Sequence, residues 1–270
     1  MEGESSENLP AAAGAHRIRK ANAEKLAAGY TKKKRFMECC YLYLFTHLWF
    51  TQFVIVARYF VHSGQADLPL FVWSPLMILC AMALADFISG LAHWGLDTWG
   101  TPQTVIFGNF IRSFREHHVD QSAMTKHDFI ETNADTTLPL IPLLLLQRYC
   151  LSRVDTHGNY GHNVHNGNVG GHVFLLTLTL FVAMTNEVHK WSHMAKPPAV
   201  ARFMMSCHLI LTPRGHRKHH IGNHDQSYCI TTGWMNGVLD YVNFWRVAET
   251  VITALTGEIP RANDQHMLGK

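Results

Sequence analysis

Charge is scarce in this sequence. Charged residues make up 16% of its 270 positions, whereas an average globular domain carries about 25%. That is little for a surface wetted all round, and no nucleic-acid partner is expected. Paired cysteines are missing too. Cys39, Cys40, Cys80, Cys150, Cys207 and Cys229 contain no Cys-x-x-Cys spacing, which argues against a thiolate zinc site. Several sit in apolar stretches, where a free thiol behaves as a small hydrophobe, so a reducing cytosolic face without a disulfide framework is expected. No apolar run precedes the basic stretch Lys32-Lys33-Lys34-Arg35, and a cleaved signal peptide is therefore not expected.

The charge that is present lies unevenly. Residues 1–35 hold eight Lys/Arg against four Glu and read as a polar basic tail. Residues 36–61 are long enough to cross roughly 30 Å of hydrocarbon, with Arg58 placed to snorkel near the far end. His47, in the middle, reads as a packed helix residue rather than a ligand. After a turn at 62–67 a second apolar stretch covers 68–92, with Pro69 suiting a helix start and Pro75 suggesting a kink. A third, 138–149, is short and holds two prolines; it spans only with flanking residues, or re-enters. A fourth, 172–184, leads into a polar helix end. Residues 152–171 are Gly/Asn/His-rich and read as a loop, so His157, His162 and His165 are taken as solvated. The apolar but punctuated region 228–255 reads as lying along the interface.

The basic tail places the N-terminus in the cytosol. Four crossings then bring the ends of the second and fourth stretches back to that side. The fold class expected is all-α: an integral membrane protein of about four transmembrane helices with a cytosolic, histidine-rich helical cap.

Nineteen histidines are present, and their spacing matters more than their number. His93 and Asp97 lie four apart, on one helical face; Asp97 can ligate a metal or orient a ligating imidazole. Asp86, near the end of the same stretch, reads equally as a packing hydrogen-bond acceptor or a functional carboxylate. His117 and His118 are adjacent and point about 100° apart on a helix, which suits two ions better than one. His127 is either a further ligand or a partner of one, and Asp128 follows it. His189 and His193 form an HxxxH pair. His216, His219 and His220 form HxxHH, read as one helical face, with His208 and His224 flanking it. The metal set is thus His93, His117, His118, His189, His193, His216, His219 and His220, with His127 in reserve. Eight imidazoles exceed the need of any single ion and suit two ions with open positions. All-nitrogen ligation fits iron, and ligand type alone leaves zinc, copper or nickel open.

HxxxH and HxxHH boxes at the ends of membrane helices resemble the membrane lipid desaturase and hydroxylase superfamily. Longer strings resemble its Kua family: ADFISGLAHWGLDTWG (85–100), FREHHVD (114–120), TKHDFIETNAD (125–135), HKWSH, HRKHH, ITTGW (230–234) and LTGEIPRA (255–262). The resemblance covers residues 36–264, leaving 265–270 as a tail and 152–171 as an insertion. Two departures from the wider desaturases, Asp97 for the second His of the first box and Phe114 for the first His of the second, match the Kua pattern.

The resemblance implies an endoplasmic reticulum enzyme with two iron ions that uses O2 to form the vinyl ether bond of plasmalogens in a 1-O-alkyl ether phospholipid. It implies electrons from cytochrome b5 and its reductase. Hydrogen would leave C1′, beside the ether oxygen, and then C2′, with Asp97 and Asp128 supplying compensating negative charge. Arg112, Arg115, Lys190, Arg214, Arg217 and Lys218 would bind lipid phosphate or an acidic electron donor, or simply follow the positive-inside rule. The rivals are an acyl-chain desaturase, a lipid hydroxylase on the same centre, and, in a different class, a histidine-rich metal transporter.

Overall fold

The computed structural model describes residues 30–62, 68–105, 107–155, 169–221 and 224–262, with residues 14, 17, 20, 21 and 24. Most of the basic tail, the centre of the Gly/Asn/His-rich loop with His157, His162 and His165, and the 265–270 tail lie outside the described residues. All regular structure among the described residues is helical.

From Lys32 on, the described residues form ten α-helices in succession: α1 Lys32–His62, α2 Leu68–Thr98, α3 Gly108–Val119, α4 Phe129–Thr137, α5 Ile141–Asp155, α6 Val169–His193, α7 Ala199–Ser206, α8 Pro213–Arg217, α9 Asn236–Tyr241 and α10 Phe244–Thr256. Three of them contain stretches long and apolar enough to cross a membrane: Lys32–Arg58, Trp73–Thr98 and Gly170–His193. The short third stretch begins as a 3-10 turn, Leu138–Leu140, that joins α4 to α5, and its remainder lies in the first part of α5. Pro139 falls at the start of this turn, where its missing N–H breaks the α-helical ladder at least cost. Pro75 sits inside α2, and the helix continues through it.

Helix α6 is the central post, packing along α2 on one side and against α4 and α1 on the other. Ala81 and Ala85 of α2 meet Leu178 of α6, and such small residues let two backbones approach closely. Phe45 and Leu48 of α1 pack with Leu144 of α5 and Ala183 of α6. Buried polar groups in this bundle are tied to backbone. Trp49 Nε1 donates to the Leu176 carbonyl at 2.9 Å, and Gln52 Nε2 donates to the Leu144 carbonyl at 3.0 Å. The basic run at the start of α1 has partners on and beside α4: Lys34 pairs with Asp135, and Arg35 donates to Asp128 at 2.7 Å.

The C-terminal third folds back onto the end of α2 through a buried carboxylate. Asp86 Oδ1 accepts from the backbone N–H groups of Thr231, Thr232 and Gly233, at 3.2, 2.7 and 2.8 Å. Its Oδ2 accepts from Met235 N–H at 2.9 Å. Of its two readings, the structure gives Asp86 the packing one. Gly90 lets the same segment close in: a Cβ there would stand 2.5 Å from Cys229 Sγ and 3.1 Å from the Trp245 ring.

Replacing Asp86 by Ala strands four amides at once, two of them buried and two half-buried. Each unmet amide costs about 1–3 kcal/mol, so D86A is expected to melt well below the native protein in detergent, and an unchanged melting temperature would refute this role.

Candidate metal centre

The end of α2 carries the first donors. The helix continues past His93 to Thr98, so Asp97 stands one turn above His93. His93 Nδ1 faces the Tyr228 carbonyl at 3.0 Å, and His219 Nδ1 faces the Gln226 carbonyl at 2.9 Å. A carbonyl can only accept, so each ring carries its proton on Nδ1 and turns a bare Nε2 inward, the tautomer of a metal-ligating imidazole. Around these atoms lies Asp97 Oδ2, at 2.9 Å from His93 Nε2 and 3.4 Å from both His118 Nε2 and His219 Nε2.

The second set comes from α6 and α8. His189 and His193 on α6 meet His216 and His220. The Nε2 atoms of His189, His193 and His220 stand 2.9, 2.9 and 2.9 Å from that of His216. A single ring nitrogen has one proton or one lone pair, so it can make at most one of these three contacts as a hydrogen bond. The others bring lone pairs face to face. A cation removes the conflict: with metal–nitrogen bonds of about 2.0–2.1 Å, neighbouring ligands at right angles stand about 3 Å apart. The donors fall into two groups, each within 4.8 Å: His117, His189, His193, His216 and His220, and His93, His117, His118 and His219. His117 belongs to both, and its buried Nε2, like both Asp97 oxygens, lacks a hydrogen-bond partner. These residues fit a pair of metal ions.

Every histidine of the expected set is therefore gathered at one end of the bundle. The face assigned to HxxHH needs correction. Helix α8 ends at Arg217 and the chain continues as a turn, so His216 and His220 serve one group while His219 turns to the other. His127 lies outside both groups, 3.9 Å from Glu116 Oε2 and 3.8 Å from Glu131 Oε1. Asp128 is outside them as well: it caps α4, accepting from Ile130 and Glu131 N–H, and pairs with Arg35. His47 is exposed on α1 beside Tyr43. His224 stacks on His118 with ring centroids 4.4 Å apart. Of the six basic residues, Arg112, Arg115 and Lys190 are buried and bonded to Glu116, the Gly100 carbonyl and Glu187, whereas Arg214, Arg217 and Lys218 are exposed.

Sequence spacing alone did not single out the outer supports. Arg261 clasps Glu249 at 2.7 and 2.8 Å and donates to the Tyr228 hydroxyl at 3.2 Å, while Glu249 also accepts from Trp94 Nε1 at 3.2 Å. Thus the residue whose carbonyl fixes His93 is itself held by the end of the 255–262 string.

Comparison with known proteins names the class. The lipid desaturase domain matches residues 82–263. Plasmanylethanolamine desaturase 1 of Mus musculus is 42% identical over 253 residues, covering 90% of this chain and 86% of that protein. Plasmanylethanolamine desaturase of Myxococcus xanthus is 38% identical over 252 residues, covering 92% and 82%. The chloroplastic fatty acid desaturase 4 of Arabidopsis thaliana is 26% identical over 215 residues, covering 78% of this chain and 61% of that protein. No solved structure matches the chain. The chain belongs to the lipid desaturase family, and it is similar over nearly its whole length to the plasmanylethanolamine desaturases within it.

Burial, aided by neighbouring imidazoles, holds His117, His118 and His216 well below the ordinary imidazole value of 6.5. It pushes His220 down to about 2. In the unfolded chain these rings protonate first, so acid favours unfolding. The metal-free protein is expected to keep constant stability above neutrality and to lose it as pH falls below about 6.5. Melting temperatures across pH 5–8 check this; a rise on acidification would contradict it.

Proposed function

We propose that this chain is an O2-dependent di-iron desaturase that forms the vinyl ether double bond of plasmalogens in 1-O-alkyl ether phospholipids of the plasmanylethanolamine class. The observation that carries the reading is the pair of abutting imidazole groups joined through His117. The names of the Mus musculus and Myxococcus xanthus relatives supply the substrate. The reaction removes one hydrogen from C1′ and one from C2′; with O2, two electrons and two protons it yields the C1′=C2′ bond and two waters. The ether oxygen eases the first removal by donating electron density to C1′. When bound, the ions supply O2 activation.

The protein's own residues do the rest. His189, His193, His216 and His220 would hold one ion and His93, His118 and His219 the other, with His117 available to either group. Asp97 orients the second group and offsets its positive charge. Asp128 keeps the helix-capping role described above. Arg214, Arg217 and Lys218, exposed beside the centre, suit an acidic one-electron donor such as cytochrome b5.

The reading places the centre on the cytosolic side of the endoplasmic reticulum. It takes α5, extended by the 3-10 turn and α4, as the third of four crossings. Gln52, part-way along α1, meets Leu144 just inside α5, while the start of α1 meets Asp128 and Asp135, so this composite helix rises beside α1 in parallel. Likeness to fatty acid desaturase 4 keeps acyl-chain desaturation as the second reading.

Expression in plasmalogen-deficient cells tests the assignment. Acid-labile vinyl ethers should reappear with the native chain and stay absent with His117→Ala and His219→Ala. Asp97→Asn should lower activity or metal affinity by about 10–100-fold, whereas His127→Ala should keep the full metal content. An acyl double bond or an added hydroxyl as the product, or full activity in both alanine variants, would refute the reading.

A further inference from the structure

We infer that residues 228–256 form a re-entrant hairpin inserted into one leaflet, with α9 and α10 facing acyl chains rather than water or a protein partner. Depth along α2 sets the argument. Asp86 precedes His93 by seven residues, about 10 Å along the helix axis, and the large apolar side chains Leu84 and Leu91 are exposed on either side of it. The hydrocarbon that covers those side chains therefore reaches the level of Asp86. At that level Asp86 binds 231–235, Phe87 meets Phe244 with ring centroids 5.8 Å apart, and Gly90 lies against Trp245.

Irregular backbone survives at such depth only if its polar groups are satisfied without water. The N–H groups of 229–235 meet that demand through side chains alone, and the Thr231 carbonyl accepts from Leu211 N–H at 3.0 Å. Cys229 N–H donates to Asn236 Oδ1 at 2.8 Å and Ile230 N–H to Ser89 Oγ at 3.0 Å. The N–H groups of 231, 232, 233 and 235 go to Asp86, and that of Trp234 goes to Thr232 Oγ1 at 3.2 Å. A water-exposed turn has no need of this arrangement.

The outward faces agree. Val238, Tyr241 and Val242 are exposed around α9, and Val247, Val251 and Leu255 form a stripe at i, i+4 along α10. From Val247 to Thr256 the outward face of α10 carries no charge. The cation at its start, Arg246, reaches back to Asp225, as a snorkelling side chain does. At the far end Arg261 N–H donates to the Thr98 carbonyl at 2.9 Å, so the chain returns to the cytosolic end of α2.

The inference rests on α2 as a span, so the test includes a control for that. Val242→Cys, Val251→Cys, Leu84→Cys and Lys126→Cys are introduced one at a time into a chain whose exposed native cysteines are replaced. Each variant is reconstituted in phosphatidylcholine vesicles and checked for retained activity. The thiols at positions 242, 251 and 84 should react with a charged maleimide more than about tenfold slower than the thiol at position 126, because hydrocarbon excludes the reagent. Fluorophores placed at 242 and 251 through a neutral maleimide should be quenched by lipids carrying acyl-chain nitroxides. Fast reaction at both 242 and 251 with position 84 shielded overturns the hairpin alone; fast reaction at all three overturns the spanning of α2 as well. Shielding without lipid quenching means protein covers the face, and overturns the lipid assignment.

Discussion

The site depends on electrostatic conflict that only a cation relieves. Neutral imidazoles gathered with their Nε2 atoms about 3 Å apart cannot satisfy one another, since each nitrogen can form a single hydrogen bond. Protonating them instead would crowd like charges into a space closed to water, and burial forbids that as well. The rings stay together because the scaffold holds them there: α2 and α6 as long rigid posts, and backbone carbonyls from 226 and 228 that lock two rings from behind. The donors are therefore preorganised for a cation, which is the condition a tight metal centre requires.

Asp97 shows how one substitution changes such a centre. With two ions bound as proposed, a neutral ligand set would leave their full charge inside a low-dielectric cap. One carboxylate within 3.4 Å of three imidazole nitrogens would offset part of that charge, which another neutral histidine could not. The acidic residues farther out are organised differently. Glu116 and Glu131 flank His127, and burial pushes the Glu116 carboxyl up from the usual range. They contribute to the shell around the centre rather than to its donor set.

Much of this was legible in the sequence because helices report their own geometry. The pairs His93/Asp97 and His189/His193 needed only a periodicity of 3.6 to be placed on common faces. The split of HRKHH was not legible, because it follows from where α8 ends: after Arg217 the turn rotates His219 toward one group and leaves His220 with the other. The supports were hidden for a different reason. Tyr228 and Gln226 act through their carbonyls, and any residue type has a carbonyl. Asp128 drew notice through its neighbour His127, yet its position immediately before α4 is that of a helix cap, a local signal that outweighed the distant one. The short 138–149 run was ambiguous because its two prolines disguise a helical segment that is continuous with α4.

Helix α2 explains why the string 85–100 is as specific as it is. Two ladders of i, i+4 residues run up it side by side. One, Ala81-Ala85-Ser89-His93-Asp97, begins small where α6 packs and ends with donors where the two metal groups assemble. The next, Asp86-Gly90-Trp94-Thr98, receives the C-terminal segment rung by rung: the 231–235 backbone, the Cys229 and Trp245 side chains, Glu249, and Arg261. The ladder that sets the inner donors and the ladder that docks their outer supports are thus one residue apart on the same rigid element. A one-residue slip in α2 would rotate both by about 100° and dismantle the centre and its enclosure together, so the spacing of this single helix couples membrane insertion to assembly of the site.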